Sequence, residues 1–361
     1  RLERALVVEQ GRRVGCGRYK HSPRRWGYRN GSYERDLLTS YGWIEGLAVP
    51  RVRKGGMESE VLERYRRRQR ALDGILLEAF LLGHSTRKSI RWFKRVFGAE
   101  ISAQAVSDIV KELDQQVQDY HGRRLGDHYR FLYLDGLWIT LSKPVKVKKV
   151  LLVALGVKED GSKELLSFQL AGPADGGEAS WWGFISDLKQ RGLGGAGLEV
   201  VVSDRAPGLV KAIRALYPRV PHQLCSLHKA MELAGHLTDK RQRSRIMADA
   251  LRVFEGESAT QVRKNLKGFC DKWSIKEPQA VRNFIRGFEC CLVYLEYPDP
   301  IRTMLKTNNP MERYLQELRR RIIPMRSFNN VKSAERIIYG LIAYVLNQPQ
   351  DMPNYEFTQL S

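Results

Sequence analysis

The chain has 361 residues, enough for two or three domains with a substantial buried core. Lys and Arg number 61 against 40 Asp and Glu, and this net charge of +21 points to a polyanionic partner. Hydrophobic residues at 43% exclude a mostly disordered chain, and every apolar run is far shorter than the roughly 18 residues that span a bilayer. Five irregularly spaced cysteines and the lack of an apolar leader lead us to expect a cytoplasmic protein without membrane contact.

The first 70 residues are the most basic part of the sequence, with 18 Lys and Arg against 8 Asp and Glu. Turn signals at 29–31 and at Pro50 divide this stretch, so we expect a basic N-terminal arm with short strands over 1–70. Its end reads RYRRRQR and contains Arg66, Arg67 and Arg68. Such a run is either a solvated face or a set of phosphate contacts, and the sequence leaves both interpretations open.

Residues 71–122 have the pattern of a small helical domain. Apolar positions 72, 75, 76, 79 and 80 follow the helical period. Ser85 and Ser102 are placed to cap the second and third helices. The third helix carries a separate polar face made of Gln104, Ser107 and Lys111. This order is typical of a helix-turn-helix reader of DNA bases, and a helical spacer between domains is the alternative.

The period changes to that of strands between 127 and 346. Apolar runs at 131–140, 149–157 and 164–172 precede a helix at 181–190, a strand at 198–204 and a helix at 206–216. This order predicts an α/β domain with a mixed sheet and helices packed on it. Residues 229–300 carry helical stripes and predict a helical insertion. Two further helices, 310–321 and 332–346, precede a tail at 347–361.

Two aspartates stand where strands can bring them together. Asp135 lies inside the first apolar strand, and Asp204 lies at the carboxyl end of VVVSD. A buried ionised carboxylate is costly unless it is paired or bound to a cation. Ligand sites in open α/β sheets favour the carboxyl ends of strands. Carboxylates on neighbouring strands therefore suggest a site for divalent cations such as Mg²⁺, which acts on phosphodiesters in pairs of ions.

Spacing alone offers several candidates for a third carboxylate. Glu312 is the first candidate, and Glu317 and Glu289 are rivals. The alternative is purely local, because Asn309 as N-cap, Pro310 in the first turn and Glu312 three residues on resemble a capping box. Arginines on the same predicted helix are placed for contacts with phosphate groups: Arg313, Arg319, Arg320 and Arg321.

The segment PHQLCSLHK places Cys225 three residues before His228. A structural zinc site needs four ligands, and the remaining cysteines lack a second paired motif to complete one. A Cys–His hydrolase would need an orienting group and an oxyanion hole that the sequence does not mark. We therefore interpret Cys225 and His228 as a packed, hydrogen-bonded pair.

Family motifs are spread in order between Gly15 and Asn347. They are GYRNG and VPRVRKG within 16–55, EAFLLGHSTRKSI at 78–90, LYLDGLW at 132–138, the block WWGFISDLKQRGL to VVVSDRAPGLVKAI, the signature CSLHK, and TNNPMERYLQELRRRIIPMRSF at 307–328. Together these stretches resemble the Mutator-like bacterial insertion-sequence transposases, a branch of the DDE transposases. One departure is Arg205 after the second aspartate, where the family commonly has a small residue.

The resemblance implies an RNase H-like catalytic core whose acids are Asp135, Asp204 and Glu312, with a helical insertion between the last two. It implies two Mg²⁺ (or Mn²⁺) ions held by these acids, and Cys225 and His228 as supporting residues. The implied partners are double-stranded DNA, at terminal inverted repeats and at a target, and further copies of the chain in a homodimer or larger synaptic complex. The implied activity is 3′-end nicking and strand transfer near the bacterial nucleoid, with no small-molecule substrate. A catalytically decayed DNA-binding protein and a nuclease for cellular substrates are the alternatives.

Overall fold

A computed structural model of the chain describes residues 1–53, 59, 62, 68–171 and 177–346. The chain divides into two compact units, Arg1–Glu112 and Leu113–Ser361. Arg66 and Arg67 of the predicted arm lie outside the described residues, as does the predicted tail at 347–361.

The first unit begins with a helix that the sequence analysis did not predict. Helix α1 (Leu2–Val14) precedes the antiparallel strands β1 (Arg29–Thr39) and β2 (Gly42–Val52). Leu6 of α1 packs on the hairpin with Leu37, Leu47 and Val49. Apolar residues also occur on the exposed side of α1, so its sequence lacks the clean apolar stripe by which surface helices are recognised.

Three helices follow within this unit, α2 (Arg70–Leu81), α3 (Thr86–Phe97) and α4 (Ala103–Lys111), and they pack on one another. The side chain of Ser85 accepts a hydrogen bond from Lys88 N at 3.3 Å, and that of Ser102 accepts one from Ala105 N at 3.0 Å. Both predicted N-caps are therefore confirmed.

The second unit is built on the predicted mixed sheet, which is confirmed. Its strands are β3 (Tyr129–Leu141), β4 (Val147–Lys158), β5 (Lys163–Ala171), β6 (Val200–Ser203) and β7 (His222–Leu224), in the spatial order β5-β4-β3-β6-β7. β4 runs antiparallel to β3 and β5, whereas β6 is parallel to β3 and β7 is parallel to β6. Strand β7 was not predicted from the sequence, because three residues are too few to show a strand period.

The helices of the second unit are α5 (Leu113–Gly122), α6 (Glu178–Gln190), α7 (Pro207–Leu216), α8 (Ser226–Glu232), α9 (Arg243–Val253), α10 (Ala259–Trp273), α11 (Pro278–Ile285), α12 (Ile301–Leu305), α13 (Asn309–Met325) and α14 (Val331–Leu341). A π-helical turn, Ile342–Leu346, continues α14. Short 3₁₀ turns occupy Leu233–Gly235, Lys240–Gln242, Phe288–Cys291 and Val293–Glu296. Helix α5 packs on α14, where Arg336 Nη2 bonds Asp114 Oδ2 at 2.7 Å.

The two faces of the sheet have different coverings. Side chains of a strand alternate between faces, and Leu132 and Leu134 of β3 join the core formed with α6 and α7. Tyr133 and Asp135 therefore point to the opposite face, where the Tyr133 hydroxyl donates to the carbonyl of Met304 in α12 and α13 packs on β3. A second core lies among α8–α11. The candidate site lies on the face that α12 and α13 cover.

Candidate active site

Asp135 occupies the middle of β3 and is only 7% exposed. Its Oδ1 accepts a hydrogen bond from Gly136 N at 2.7 Å, and its Oδ2 accepts one from Asn308 Nδ2 at 2.7 Å. The strand is apolar, and β-branched residues of the neighbouring strands flank it. The backbone of Asp135 is fixed because it pairs with Val153 of β4. Its carboxylate is thus held in one orientation.

Asp204 is the first residue after β6 and lies beside Asp135 by strand register. β3 and β6 are parallel and pair Leu134 with Ser203, so the next residue of each strand is an aspartate. Asp204 Oδ1 accepts a hydrogen bond from Ala206 N at 3.1 Å, where the chain turns into α7. The Ser203 hydroxyl donates to the Asp204 carbonyl at 2.7 Å and lies 2.8 Å from His222 Nε2. These contacts fix the loop that carries the second acid.

The electrostatics of this pair favour a cation. Burial raises the pKa of Asp135 to about 6, and the negative charge of Asp204 adds to the shift. Burial also raises the pKa of Asp204, against a lowering effect of His228. Two carboxylates that resist ionisation next to each other are stabilised when a positive charge comes between them.

Cys225 and His228 lie at the start of α8, next to both acids. Cys225 Sγ accepts from His228 N at 3.5 Å and from Asn308 N at 3.3 Å. The thiol therefore contacts backbone N–H groups, and His228 Nδ1 has no partner among the described residues. The Cys225 side chain, followed by the carboxylates of Asp135 and Asp204, raises the pKa of His228 to about 9. A protonated imidazole consequently lies beside the two acids.

Glu312 lies in the first turn of α13 and is half-buried, with 34% of its side chain exposed. Its carboxylate bonds the guanidinium of Arg319 on the same helix. Its charge is the smallest of the main contributions to the raised pKa of Asp135. The capping box expected at Asn309 is wrong: the N-cap is Asn308, whose amide is turned to Asp135. The hydrogen bond from Asn308 to Asp135 therefore outweighs the preference of an asparagine at the N-cap to cap its own helix.

The two rival acids are engaged elsewhere in ion pairs. Glu317 Oε1 pairs with Arg320 at 2.7 Å, and its other oxygen pairs with Arg321. Glu289 pairs with Arg263 at 2.7 Å in the exposed part of the helical segment. Neither contributes to the pKa shifts of Asp135 or Asp204.

The donor chemistry at Asp135 and Asp204 suits a hard divalent cation. Both side chains offer carboxylate oxygens, and the amide oxygen of buried Asn308 has no hydrogen-bond partner among the described residues. Oxygen ligands of this kind are those that Mg²⁺ and Mn²⁺ prefer. Within the described ranges, no group of three or more His, Cys, Asp or Glu is arranged to hold a metal ion. Glu312 would join the two aspartates only after leaving Arg319.

Arg205, the departure noted after the second aspartate, is accommodated by the helical segment. Its Nη1 bonds Glu232 Oε2 at 3.0 Å. Lys229, which belongs to α8, is buried and donates to the carbonyls of Asn283 and Arg286 at 2.8 and 2.9 Å. The arginine thus ties the loop of Asp204 to α8 and leaves the carboxylate of Asp204 free for the site.

The predicted DNA-contacting residues of the first unit are exposed on α4 or paired. Gln104 Nε2 and Lys111 Nζ both donate to Asp108 Oδ1, at 2.7 and 2.9 Å, and Ser107 is exposed. Arg68 pairs with Asp73. Helix α3 was predicted, but its cationic face was not: it carries no acidic residue and exposes five cationic side chains, Arg87, Lys88, Arg91, Lys94 and Arg95. Its run TRKSIRWFKR was the available signal.

The arginines predicted on α13 differ in their partners. Arg319 bonds Glu312, Arg320 is 72% exposed and pairs with Glu317, and Arg313 is exposed. Along the described part of the chain, no helix is both long and apolar enough to cross a membrane.

The second unit is thus a mixed α/β domain that brings a buried and a partly buried aspartate together on adjoining strands. The chain belongs to the Mutator family of transposases, whose family model matches residues 1–350. It is 31% identical over 341 residues to the transposase for insertion sequence element ISRM5 of Rhizobium meliloti (strain 1021), covering 94% of this chain and 84% of that protein. The family resemblance inferred from the motifs is thereby confirmed.

A second transposase and a solved structure are also similar to this chain. The transposase for insertion sequence element IS256 in transposon Tn4001 of Staphylococcus aureus is 32% identical over 329 residues, which cover 90% of this chain and 82% of that protein. Among solved structures, the Drosophila P element transposase strand transfer complex has a TM-score of 0.40 at 10% identity, covering 76% of this chain and 92% of that one. A likeness at that score carries no argument about this chain.

Proposed function

We propose that this chain is a DDE-type DNA transposase that binds the terminal inverted repeats of its element and catalyses 3′-end nicking and strand transfer. Asp135, Asp204 and Glu312 are its catalytic acids. The observation that carries the proposal is that buried Asp135 and partly buried Asp204 lie side by side, each directly after the last paired residues of the parallel strands β3 and β6. Family membership adds the reaction class.

The catalytic domain is an RNase H-like core interrupted by a helical insertion. The strand order β5-β4-β3-β6-β7, in which β4 alone runs against the other four, supports this assignment. The insertion comprises α8–α11, which have a hydrophobic core of their own between the second and third acids. The first unit binds DNA through α4, with Gln104, Ser107 and Lys111 as base readers in a helix-turn-helix-like arrangement.

The acids would hold two Mg²⁺ or Mn²⁺ ions, which would supply charge stabilisation to the phosphodiester displacement. In the first step a water oxygen attacks a phosphodiester at the element's end, and the bond to the 3′ oxygen breaks to leave a 3′-hydroxyl. In the second step that hydroxyl attacks a phosphodiester of the target, and a new 3′ oxygen leaves. Asp135 and Asp204 would hold the cations, and Arg313, Arg319 and Arg320 contact flanking phosphates.

Joining two ends to one target requires two active sites, so the working form is a homodimer or a larger synaptic complex. The net charge of +21 supports a DNA partner. DNA binding should fall steeply with salt, since cationic side chains displace counterions from the duplex. The proposed location is the bacterial cytoplasm, on the nucleoid.

The deciding experiment compares the native chain with Asp204→Ala on DNA that carries the gene's own flanking sequence. Products are resolved on denaturing gels with Mg²⁺ or Mn²⁺, and 3′-end nicking and joining to a second duplex are scored. Products that depend on metal and vanish in the variant are expected. Specific binding to the ends without cleavage in either metal would overturn the catalytic assignment.

That second outcome would favour a recruited or decayed DNA-binding protein. One observation favours this alternative, namely that the Glu312 carboxylate is bonded to Arg319. A mixed result, in which nicking occurs and joining does not, would retain the catalytic acids and place the defect in target capture.

A further inference from the structure

Asn308 is a buried amide with an unusual set of contacts. It is 2% exposed and precedes the first turn of α13. An asparagine at this position ordinarily accepts a hydrogen bond from the N–H groups of the helix start. Here its Nδ2 donates to Asp135 Oδ2 at 2.7 Å, while its Oδ1 is buried and finds no partner among the residues that the structure describes.

This arrangement is costly for a residue with only a structural role. A buried amide oxygen without a hydrogen bond loses its solvation without compensation, and the helix also gives up a capping interaction. Buried polar groups in proteins are nearly always satisfied, so an exception at a cluster of acids calls for an explanation in the chemistry of that cluster.

Through its backbone and its side chain, Asn308 joins three parts of the site. Its N–H donates to Cys225 Sγ at 3.3 Å, and its carbonyl accepts from Glu312 N at 2.9 Å. Its side chain reaches Asp135 from across the sheet face. Next to it, the Ser226 hydroxyl and N–H both donate to the Lys306 carbonyl, at 2.8 and 3.1 Å. The loop of 306–308 is therefore anchored to the start of α8 by three hydrogen bonds.

We propose that Asn308 is a positioning residue that holds the carboxylate of Asp135 through Nδ2 and presents Oδ1 to the divalent cation site as a further oxygen. This inference rests on the proposed function, since it assigns a role within the same site. It also gives Cys225 a definite task, because the thiol fixes the backbone from which Asn308 reaches the first acid. Groups that orient a metal's carboxylate ligands typically change affinity or activity by about 10- to 100-fold when removed.

The test measures cation binding directly, apart from catalysis. Free Mn²⁺ is titrated by electron paramagnetic resonance into the native chain and into Asn308→Ala, Asn309→Ala and Asp204→Ala, without DNA. Asn309 is the matched control, because it is the adjacent asparagine, is exposed, and is not bonded to either acid. We expect about 10- to 100-fold weaker Mn²⁺ binding in Asn308→Ala and less than about a twofold change in Asn309→Ala.

A second readout separates positioning from folding. The Mg²⁺ concentration that half-saturates cleavage should rise for Asn308→Ala, and Mn²⁺ should restore part of the rate. Thermal unfolding of each variant reports structural loss, and Asn308→Ser, with a smaller cavity and a polar group, replaces the alanine variant if that one does not fold. A purely structural residue would lower the unfolding temperature and leave the cation affinity of the folded fraction unchanged.

The outcomes distinguish the two proposals. If Asp204→Ala loses Mn²⁺ while Asn308→Ala binds it as the native chain does, the role of Asn308 is overturned and the proposed function stands. If Asp204→Ala and the native chain bind Mn²⁺ alike, the cation site itself is wrong and both proposals fall.

Discussion

The strand acids and the helix acid of the candidate site are held by different means. Asp135 and Asp204 belong to neighbouring parallel strands, and their proximity follows from backbone register. Glu312 belongs to a helix, is half exposed and is held by a side-chain ion pair with Arg319. Register is fixed wherever one sheet face is buried, whereas an exposed ion pair contributes at most about 1 kcal/mol. Two acids are thus preorganised by the fold, and the third is free to be rearranged at little cost.

The largest effect on cleavage is expected from a substitution of a strand acid, because the fold holds these two acids rigidly. Asp135→Asn removes one charge from the buried pair and keeps the shape. We expect cleavage to fall by roughly 10³-fold or more, since a lost cation ligand costs several kcal/mol of transition-state stabilisation. The same variant should unfold at a higher temperature, because burial and Asp204 raise the pKa of Asp135 to about 6.

The sign of the stability change follows from proton linkage. A carboxyl whose pKa rises from about 3.9 unfolded to about 6 folded binds more protons in the folded chain between those values. Stability from this group is therefore lost as pH rises through that window, and at pH 7 the charge costs about 3 kcal/mol. Calorimetry of the native chain and Asp135→Asn at pH 7 checks this, with Asn309→Ala as a neutral control. A lower unfolding temperature for Asp135→Asn would contradict the raised pKa.

A pH profile should give a smaller, graded effect on the same pair. Below about pH 6, a proton competes with the cation for the Asp135 carboxylate. The rate of nicking at fixed Mg²⁺ should fall about tenfold for each pH unit below the pKa, and level off above it. Binding to end DNA, measured in parallel by gel shift, should not follow this curve. A rate that stays constant from pH 5 to 8 would mean that Asp135 does not titrate in the working site.

The smallest effect is expected from substitutions near Glu312, the acid that is held by a side-chain ion pair. Arg319→Gln frees Glu312 and removes one proposed phosphate contact, while Arg320→Gln removes another proposed contact on the same helix and leaves the Arg319–Glu312 pair in place. Both variants should weaken DNA binding by a few-fold and reduce the salt slope by about one. Arg319→Gln alone should bind Mn²⁺ more tightly in the absence of DNA, by less than about fivefold. Equal Mn²⁺ affinity in the two variants would show that the ion pair does not restrain Glu312.

Much of the fold followed from local patterns. The apolar runs that predict β3, β4 and β5, and the serines that predict the caps of α3 and α4, depend on neighbours within a few residues. The same locality explains the misses. Strand β7 has three residues, and α1 has apolar side chains on its exposed face. Their formation depends on partners far along the chain, which periodicity does not report.

The candidate site also depends on contacts between residues far apart in the sequence, and fewer of its features were predictable. Asp135 and Asp204 were identifiable because a carboxylate inside an apolar strand, or directly at its end, conflicts with its surroundings. Glu312 fits a capping box locally, so the family motif was needed to nominate it. Asn308 gave no local signal at all, since an asparagine before a helix is common.

The sequence by itself determined the basic character of the chain, the strands that carry two acids and membership of the Mutator family. Tertiary structure decided that β6 pairs parallel to β3, which places Asp204 beside Asp135. It also decided that the amide of Asn308 serves Asp135 and that the carboxylate of Glu312 is held by Arg319. The physical reason is that pattern and propensity act over a few residues, whereas burial and hydrogen bonding join groups more than 150 residues apart.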